Sequence, residues 1–335
     1  MQPVRWGIIS TAKIGRVKVV PGMIKSPLCD VVAVASRDEA AAREMADELG
    51  IQRAYGSYEA LLADPEIEAV YNPLPNHLHV PMTLAAAAAG KHVLCEKPIA
   101  ITAGEAEQLK QAASQVKIAE AFMVRHHPQW HRAREIIHNG DIGELRSIQV
   151  IFSYFNVDPG NIRNKADIGG GGLLDIGCYA VVAGRYFFDA EPPRVVALVD
   201  RDPAFGVDRT TSALMDFGAG RQLTFTVSTQ AVPYQRIQIL AAKGRIEVEI
   251  PFNAPPDKPM RIFVDDGSLL GDLSARAIEF PTVDQYQLQG EAFSRAIRDA
   301  APHVYGIEDA LMNMRILDAL RRSETSASWE AVKPG

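Results

Sequence analysis

The sequence predicts an α/β chain: a doubly wound parallel sheet in the first third, then an α+β part with an open, mostly antiparallel sheet. Three observations carry this. Short apolar runs in the first 120 residues are near-continuous, as in strands buried on both faces, and helix-forming segments of about ten residues separate them. The texture changes after Phe122. Beyond residue 190, strand-like segments follow one another at hairpin spacing.

In order, Val4–Ile9 reads as the first strand, followed by a helical stretch to about Lys25 that Pro21 should kink or end. Val31–Ala35 is a second strand, and Asp38–Leu49 a helix with Gly50 as C-cap. Tyr58–Ala63 reads as a short helix, Ala69–Tyr71 as a strand, and Val80–Ala89 as a helix stopped by Gly90. His92–Cys95, a helix from Thr102 to about Ser114, and Ile118–Phe122 complete the series. Strands alternating with helices in this way imply right-handed crossovers, with ligands beyond the carboxyl ends of the strands. A helix at His131–His138, a long strand at Leu145–Asn156 and a glycine-rich loop with one helix to about Phe188 come next. Segments at 195–199, 211–217, 222–229, 236–241, 246–250 and 261–264 make a sheet of six or seven strands, and Glu308–Arg322 is a closing helix. The expected domains are 1–123 and 124–335.

Composition narrows the partners. Thirty-five basic against 41 acidic residues give a formal charge of −6 over 335 residues, which disfavours nucleic acid. The start, Met1–Trp6, lacks the basic segment, apolar run and cleavage site of a signal peptide, so none is expected, and no run reaches the ~20 apolar residues of a membrane span. The three cysteines, Cys29, Cys95 and Cys178, are widely spaced, which fits reduced thiols and a cytoplasmic location. His126 and His127 stand without a nearby ligand cluster, so no metal site is expected.

Four segments bear on chemistry. At Ser10-Thr11-Ala12-Lys13-Ile14-Gly15 only the third glycine of a dinucleotide fingerprint survives; the segment is either a pyrophosphate turn at a helix N-terminus or a plain strand-to-helix turn. The second strand ends at Ser36-Arg37 where an NAD enzyme usually carries a carboxylate, which points to NADP in preference to NAD. Glu96-Lys97-Pro98 sets an ammonium directly after a buried strand, with a Lys97–Pro98 bond of undetermined isomer. Gly169–Tyr179 is a glycine loop running into a helix on which Asp175 and Tyr179, four apart, share a face.

Together with Leu74-Pro75-Asn76-His77-Leu78-His79 and Arg125-His126-His127-Pro128, these motifs resemble the glucose–fructose oxidoreductase/inositol dehydrogenase (Gfo/Idh/MocA) family. Within it the chain is most similar to the branch of dimeric dihydrodiol dehydrogenases and NADP-dependent xylose dehydrogenases. The motifs span about residues 4–185. The resemblance implies a Rossmann domain, a nicotinamide cofactor, and a homodimer or higher homo-oligomer formed through the open sheet. It makes Lys97 the catalytic lysine, Asp175 the substrate-orienting carboxylate and Tyr179 the acid/base. It places Ser10, Thr11, Ala12, Ile14, Ser36, Arg37, Leu74, Asn76, His79, Glu96, Lys97 and Arg125 at the cofactor, and leaves Arg163 to grip substrate beside Asp175 and Tyr179.

A free tyrosine titrates near 10, too high for a base at neutral pH, and an ammonium near Tyr179 would favour its phenolate. The expected reaction is hydride transfer between nicotinamide and a hydroxyl or carbonyl carbon of a polyhydroxylated molecule: a sugar, a sugar derivative or a vicinal diol. The alternative on the same fold is a non-catalytic dinucleotide-sensing regulator.

Overall fold

Asp38 and Gly50 show how closely the first elements follow their local cues. In the computed structural model, which describes residues 1–300, 303 and 305–333, Asp38 Oδ1 accepts the amides of Ala40 and Ala41, and Gly50 takes the left-handed conformation (φ 70°) that ends the helix. The strands Val4–Ile9 (β1), Cys29–Ala35 (β2), Arg53–Tyr55 (β3), Ala69–Asn72 (β4), His92–Cys95 (β5) and Ile118–Glu120 (β6) form one parallel sheet in the order β3-β2-β1-β4-β5-β6. This is the expected doubly wound order, with its switch point between β1 and β4. The helices are Val20–Ile24 (α1), Glu39–Leu49 (α2), Tyr58–Leu62 (α3), His79–Ala88 (α4), Ala103–Glu107 (α5) and Leu109–Ala113 (α6).

Two local expectations need correction, and one strand was not expected. Pro21 does not end the first helix. A π-helical turn over Gly15–Val19, closed by Val20 N–H on Gly15 O, widens the helix just ahead of the residue that lacks an amide hydrogen. The stretch from Thr102 divides at Gln108, whose amide bonds to Glu105 O in the tighter three-residue pattern. β3 has three residues, all half-buried, too short to leave a pattern in the sequence.

The second sheet is larger than expected. Leu145–Phe155 (β7), Arg194–Arg201 (β8), Asp208–Asp216 (β9), Gln222–Ser228 (β10), Gln230–Ala241 (β11), Arg245–Val248 (β12), Met260–Asp265 (β13), Arg276–Phe280 (β14) and Glu330–Ala331 (β15) line up as β14-β13-β12-β11-β7-β10-β9-β8-β15. All pairs are antiparallel except β7 with β10. Short β14 and β15 escaped the sequence reading.

One face of this sheet, built from Ile148, Val150, Phe152, Leu223, Phe225, Ile237 and Ile239, is buried. The helix Cys178–Phe188 packs on β7, with all but one of its residues buried. Pro128–His138 starts three residues earlier than expected because His127 Nδ1 accepts the amide of Gln129 and caps it. Trp130 stacks on Phe187 (5.1 Å) and donates to Pro251 O (2.9 Å). The apolar helical stretch 166–188 is long enough to cross a bilayer by length and composition, contrary to the sequence reading, and is mostly buried inside the protein.

The chain divides at Met123/Val124 where expected, but residues 284–314 return to the first unit, so the expected 124–335 block is not a single unit. The helix Gln285–Arg298, capped by the Asp284 carboxylate on Tyr286 N, packs on α1, β1 and β2. Phe293 meets Trp6 at 5.6 Å, Trp6 Nε1 donates to Ser294 Oγ (3.2 Å), and Arg298 forks onto Glu68 (2.7 and 2.8 Å). Gly290 leaves room for Cys29 Sγ and Met23 Cγ, each 3.1 Å from where its Cβ would lie. The helix Ile307–Ser326 follows, longer at both ends than expected.

Phe293 is fully buried. Phe293→Ala is expected to destabilise the first unit by about 3–5 kcal/mol, read as an earlier denaturant midpoint with Cys178–Phe188 helicity lost separately.

Candidate active site

Two strand ends in the first unit carry the expected cofactor residues. After β1, Ser10 adopts φ 80°, the left-handed region where a glycine is the usual choice, and its Oγ accepts the amide of Ala12 (3.2 Å). Ser10 N donates to Ala35 O, so the turn is tied to the end of β2. Thr11, Ala12 and Ile14 are half-exposed around the start of the helical run at 13–24. Gly15 has ordinary clearance from Tyr71 and Pro73. A helix N-terminus with small, half-exposed residues fits a pyrophosphate.

At the end of β2, Ser36 is buried and its Oγ accepts Asp38 N, while Arg37 is exposed. Asp38 spends its carboxylate on the cap of α2, and Arg37 forms no ion pair among the described residues.

The ends of β4 and β5 are joined by buried polar groups. Glu96 N donates to Asn72 O, Tyr71 Oη donates to Glu96 Oε1 (2.5 Å), and Lys97 N donates to Glu96 Oε2 (3.3 Å). The Lys97–Pro98 bond is cis. Beyond it, Ile99 N donates to Glu120 Oε1 (2.8 Å), and Asn313 Nδ2 donates to Glu120 Oε2 (2.9 Å). Asn72 is fully buried; its Nδ2 donates to His79 O and Thr83 Oγ1, and its Oδ1 accepts Leu74 N.

His79, expected at the cofactor, is held inside the fold. It is 1% exposed, and its ring spans two carbonyls, Pro98 O (2.7 Å) and Leu74 O (2.6 Å). Burial pulls its pKa down to about 4 against the opposite pull of those two carbonyls. Leu74 is buried, Asn76 is half-buried at the start of a short turn Asn76–Leu78, and Lys97 and Glu96 are half-buried.

The second unit builds its part around the glycine loop. Gly170 N and Gly171 N donate to Lys165 O and Arg163 O (2.9 Å each), and a Cβ on Gly170 would come within 2.6 Å of both carbonyls. Gly171 has φ 113°, and Asp208 Oδ1 fills the space its side chain would need. Asp208 Oδ2 accepts Leu173 N (2.5 Å) and Thr211 Oγ1 (3.2 Å). There the helix opens with a π-helical turn, Leu173–Gly177, which carries Asp175.

Asp175 Oδ2 accepts Tyr154 Oη (2.6 Å) and Arg163 Nε (2.8 Å). Asp175 holds the Arg163 guanidinium firmly charged against the opposing pull of burial, and Tyr154 adds to the effect. Tyr179 is 5% exposed, its ring against Phe152 (5.8 Å) and Phe252 (5.3 Å). Arg125 is buried, and its carbonyl faces His131 Nε2 (2.7 Å).

The sequence reading missed Tyr154 and Asp208. Tyr154 ends the buried row Ile148, Val150, Phe152 of β7, so alternation alone could have flagged it. Asp208 stands at the start of β9 with no local signal. Among the described residues no group of three or more His, Cys, Asp or Glu is placed to hold a metal ion.

Burial also lowers the pKa of His127, fully buried beside His131, to about 4. A free histidine titrates near 6.5, so between about pH 6.5 and 4 the unfolded chain takes up protons that His79 and His127 refuse in the fold. Stability is therefore full above pH 6.5 and falls on acidification through this window, on the order of 1–3 kcal/mol per histidine. Denaturant midpoints across pH 4–7 should show this slope, and His127→Asn, which keeps a cap, should reduce it by about one proton.

Comparison with known proteins follows the same division. Residues 4–126 match a family model described as an oxidoreductase family with NAD-binding Rossmann fold, and residues 130–247 match the GFO/IDH/MocA C-terminal domain. The chain is 48% identical to an uncharacterized oxidoreductase of Rhizobium meliloti over 99% of its length and 100% of the relative's. It is 38% identical to a D-xylose 1-dehydrogenase (NADP(+)) of Haloferax volcanii, covering 97% and 99% of the two chains. A 3-ketoreductase from Actinomadura kijaniata, solved with NADP and TDP-benzene, superposes with a TM-score of 0.89 at 30% identity over 96% of this chain and 98% of that one.

Proposed function

The chain belongs to the Gfo/Idh/MocA oxidoreductase family, and on that premise we propose that it is an NADP-dependent dehydrogenase or reductase acting on a hydroxyl or carbonyl carbon of a sugar, sugar derivative or vicinal diol. The observation that carries the reading is the cluster at the helix start, where Asp175, Arg163 and Tyr154 bring a carboxylate, a cation and a phenol together on the helix that carries Tyr179 four residues on. Such a group can orient hydroxyls and exchange a proton, which a dinucleotide sensor does not need. NADP-linked relatives of the whole chain's length support the same reading.

A bound nicotinamide supplies the hydride donor or acceptor. Ser10, Thr11, Ala12 and Ile14 would hold its pyrophosphate, Ser36 and Arg37 its adenosine end, and Leu74, Asn76, Glu96 and Arg125 its remaining contacts. The guanidinium of Arg37, exposed and clear of Asp38, suits a 2′-phosphate through paired hydrogen bonds. The chain's own chemistry is proton handling. Tyr179 exchanges the substrate hydroxyl proton, Lys97 stabilises the negative charge developing on that oxygen, and Asp175 orients the substrate. Self-association through the open face of the second sheet, where Leu198 is 79% exposed, belongs to the same reading.

A screen of aldoses, polyols and trans-diols with NADP, followed at the nicotinamide absorbance, tests the activity. In it Lys97→Met and Tyr179→Phe are each expected to lower kcat by roughly a hundredfold or more; wild-type kcat in either removes the role assigned to it. Arg37→Ala is expected to raise KM for NADP about tenfold or more and leave KM for NAD unchanged, through loss of a charge-assisted contact. An unaltered NADP/NAD ratio rejects the cofactor preference.

A further inference from the structure

The side chain that ties the helix start to the sheet is Tyr154. Asp175 receives two donors on the same oxygen, Oδ2: Tyr154 Oη at 2.6 Å and Arg163 Nε at 2.8 Å. The two donors differ in how they are held. Arg163 sits on the loop before the glycines, its side chain 41% exposed, and its carbonyl accepts Gly171 N, so it moves with the segment that leads into Asp175. Tyr154 comes from β7, flanked by β10 on one side and β11 on the other and thus interior to the nine-stranded sheet. Next to it, Ser153 Oγ donates to Val232 O (2.7 Å), which pins the end of β7 where β11 departs from regular register. A carboxylate only accepts, so the phenol must donate, and burial keeps that phenol protonated by pushing its pKa up.

We propose that Tyr154 is a positioning residue for the reaction: its hydroxyl anchors the Asp175 carboxylate to the sheet and fixes the orientation in which Asp175 meets the substrate. The proposal rests on the substrate-orienting role given to Asp175 above. Without the phenol O–H, Asp175 keeps Arg163, a partner on the loop that leads into its own helix, and loses this tie to the sheet. Removing one hydrogen bond to a charged group typically changes an equilibrium by about tenfold or somewhat more. Because the contact acts only through Asp175, its loss cannot matter once the carboxylate is gone.

The test is a double-mutant cycle in kcat/KM with saturating NADP, using D-xylose as the first probe and otherwise the best aldose of the screen. Tyr154→Phe in the wild-type background is expected to raise KM for the sugar about tenfold with a smaller change in kcat, and to leave KM for NADP unchanged. In the Asp175→Ala background the same substitution is expected to change kcat/KM less than twofold. Equal losses in both backgrounds overturn the proposal, because Tyr154 then acts by some other route. So does wild-type kcat/KM in Tyr154→Phe while Asp175→Ala is impaired. If Asp175→Ala itself keeps wild-type kcat/KM, or no probe is turned over, the functional reading fails and this inference with it. Denaturant midpoints of all four proteins separate misfolding from the catalytic effect; if Tyr154→Phe does not fold, Tyr154→Met, which also lacks the hydroxyl, takes its place in the cycle with the same outcomes.

Discussion

The half-buried carboxylate of Asp208 decides where the reactive helix of the second unit begins. Its two oxygens meet the glycine loop from below: Oδ2 accepts the amide of Leu173, and Oδ1 takes the space a side chain at 171 would fill. Burial opposes its ionisation, and the donors Leu173 N and Thr211 Oγ1 favour it. A first-turn amide of a helix has no partner of its own. Giving that amide to a fixed acceptor sets the rotation of the helix, and hence the placement of Asp175 and Tyr179 further along it. A glycine at 171 is thus a packing requirement as well as a conformational one.

The same logic governs the first unit. The turns after β4 and β5 lie in the interior, where each backbone polar group must find a partner. Asn72, His79 and Glu120 supply those partners from side chains that are almost fully buried. Lys97 is therefore presented from a turn braced on both flanks. In each unit the residues given chemical roles stand on scaffolding made of neighbours that have none.

Most of this was legible along the chain, and the failures share a cause. The parallel strands β1, β2, β4, β5 and β6 announced themselves because both faces are apolar, and Asp38 and Gly50 marked the second helix by their own chemistry. The helix Gln285–Arg298 was invisible because its buried side includes Gln285, Gln289, Gly290 and Ser294, so the apolar period is diluted. Asp175 and Tyr179 were found from spacing and resemblance. Tyr154 and Asp208, distant in sequence from both, act through contacts that only the folded sheet creates. His79 was legible as important but not as a brace, since nothing local foretells two carbonyls on either side of its ring.

The return of residues 284–314 to the first unit bears on how this chain is made. During synthesis the segment bearing Trp6 leaves the ribosome nearly 290 residues before its partners Phe293 and Ser294. Until then the surface formed by β1, β2 and the first helix has no cover, and the nascent nucleotide-binding half must wait for the tail of its own polypeptide. A premature stop between the sixth strand and that helix would release the whole parallel sheet without the cover Phe293 and Ser294 give its tryptophan, a natural client for chaperones and proteases.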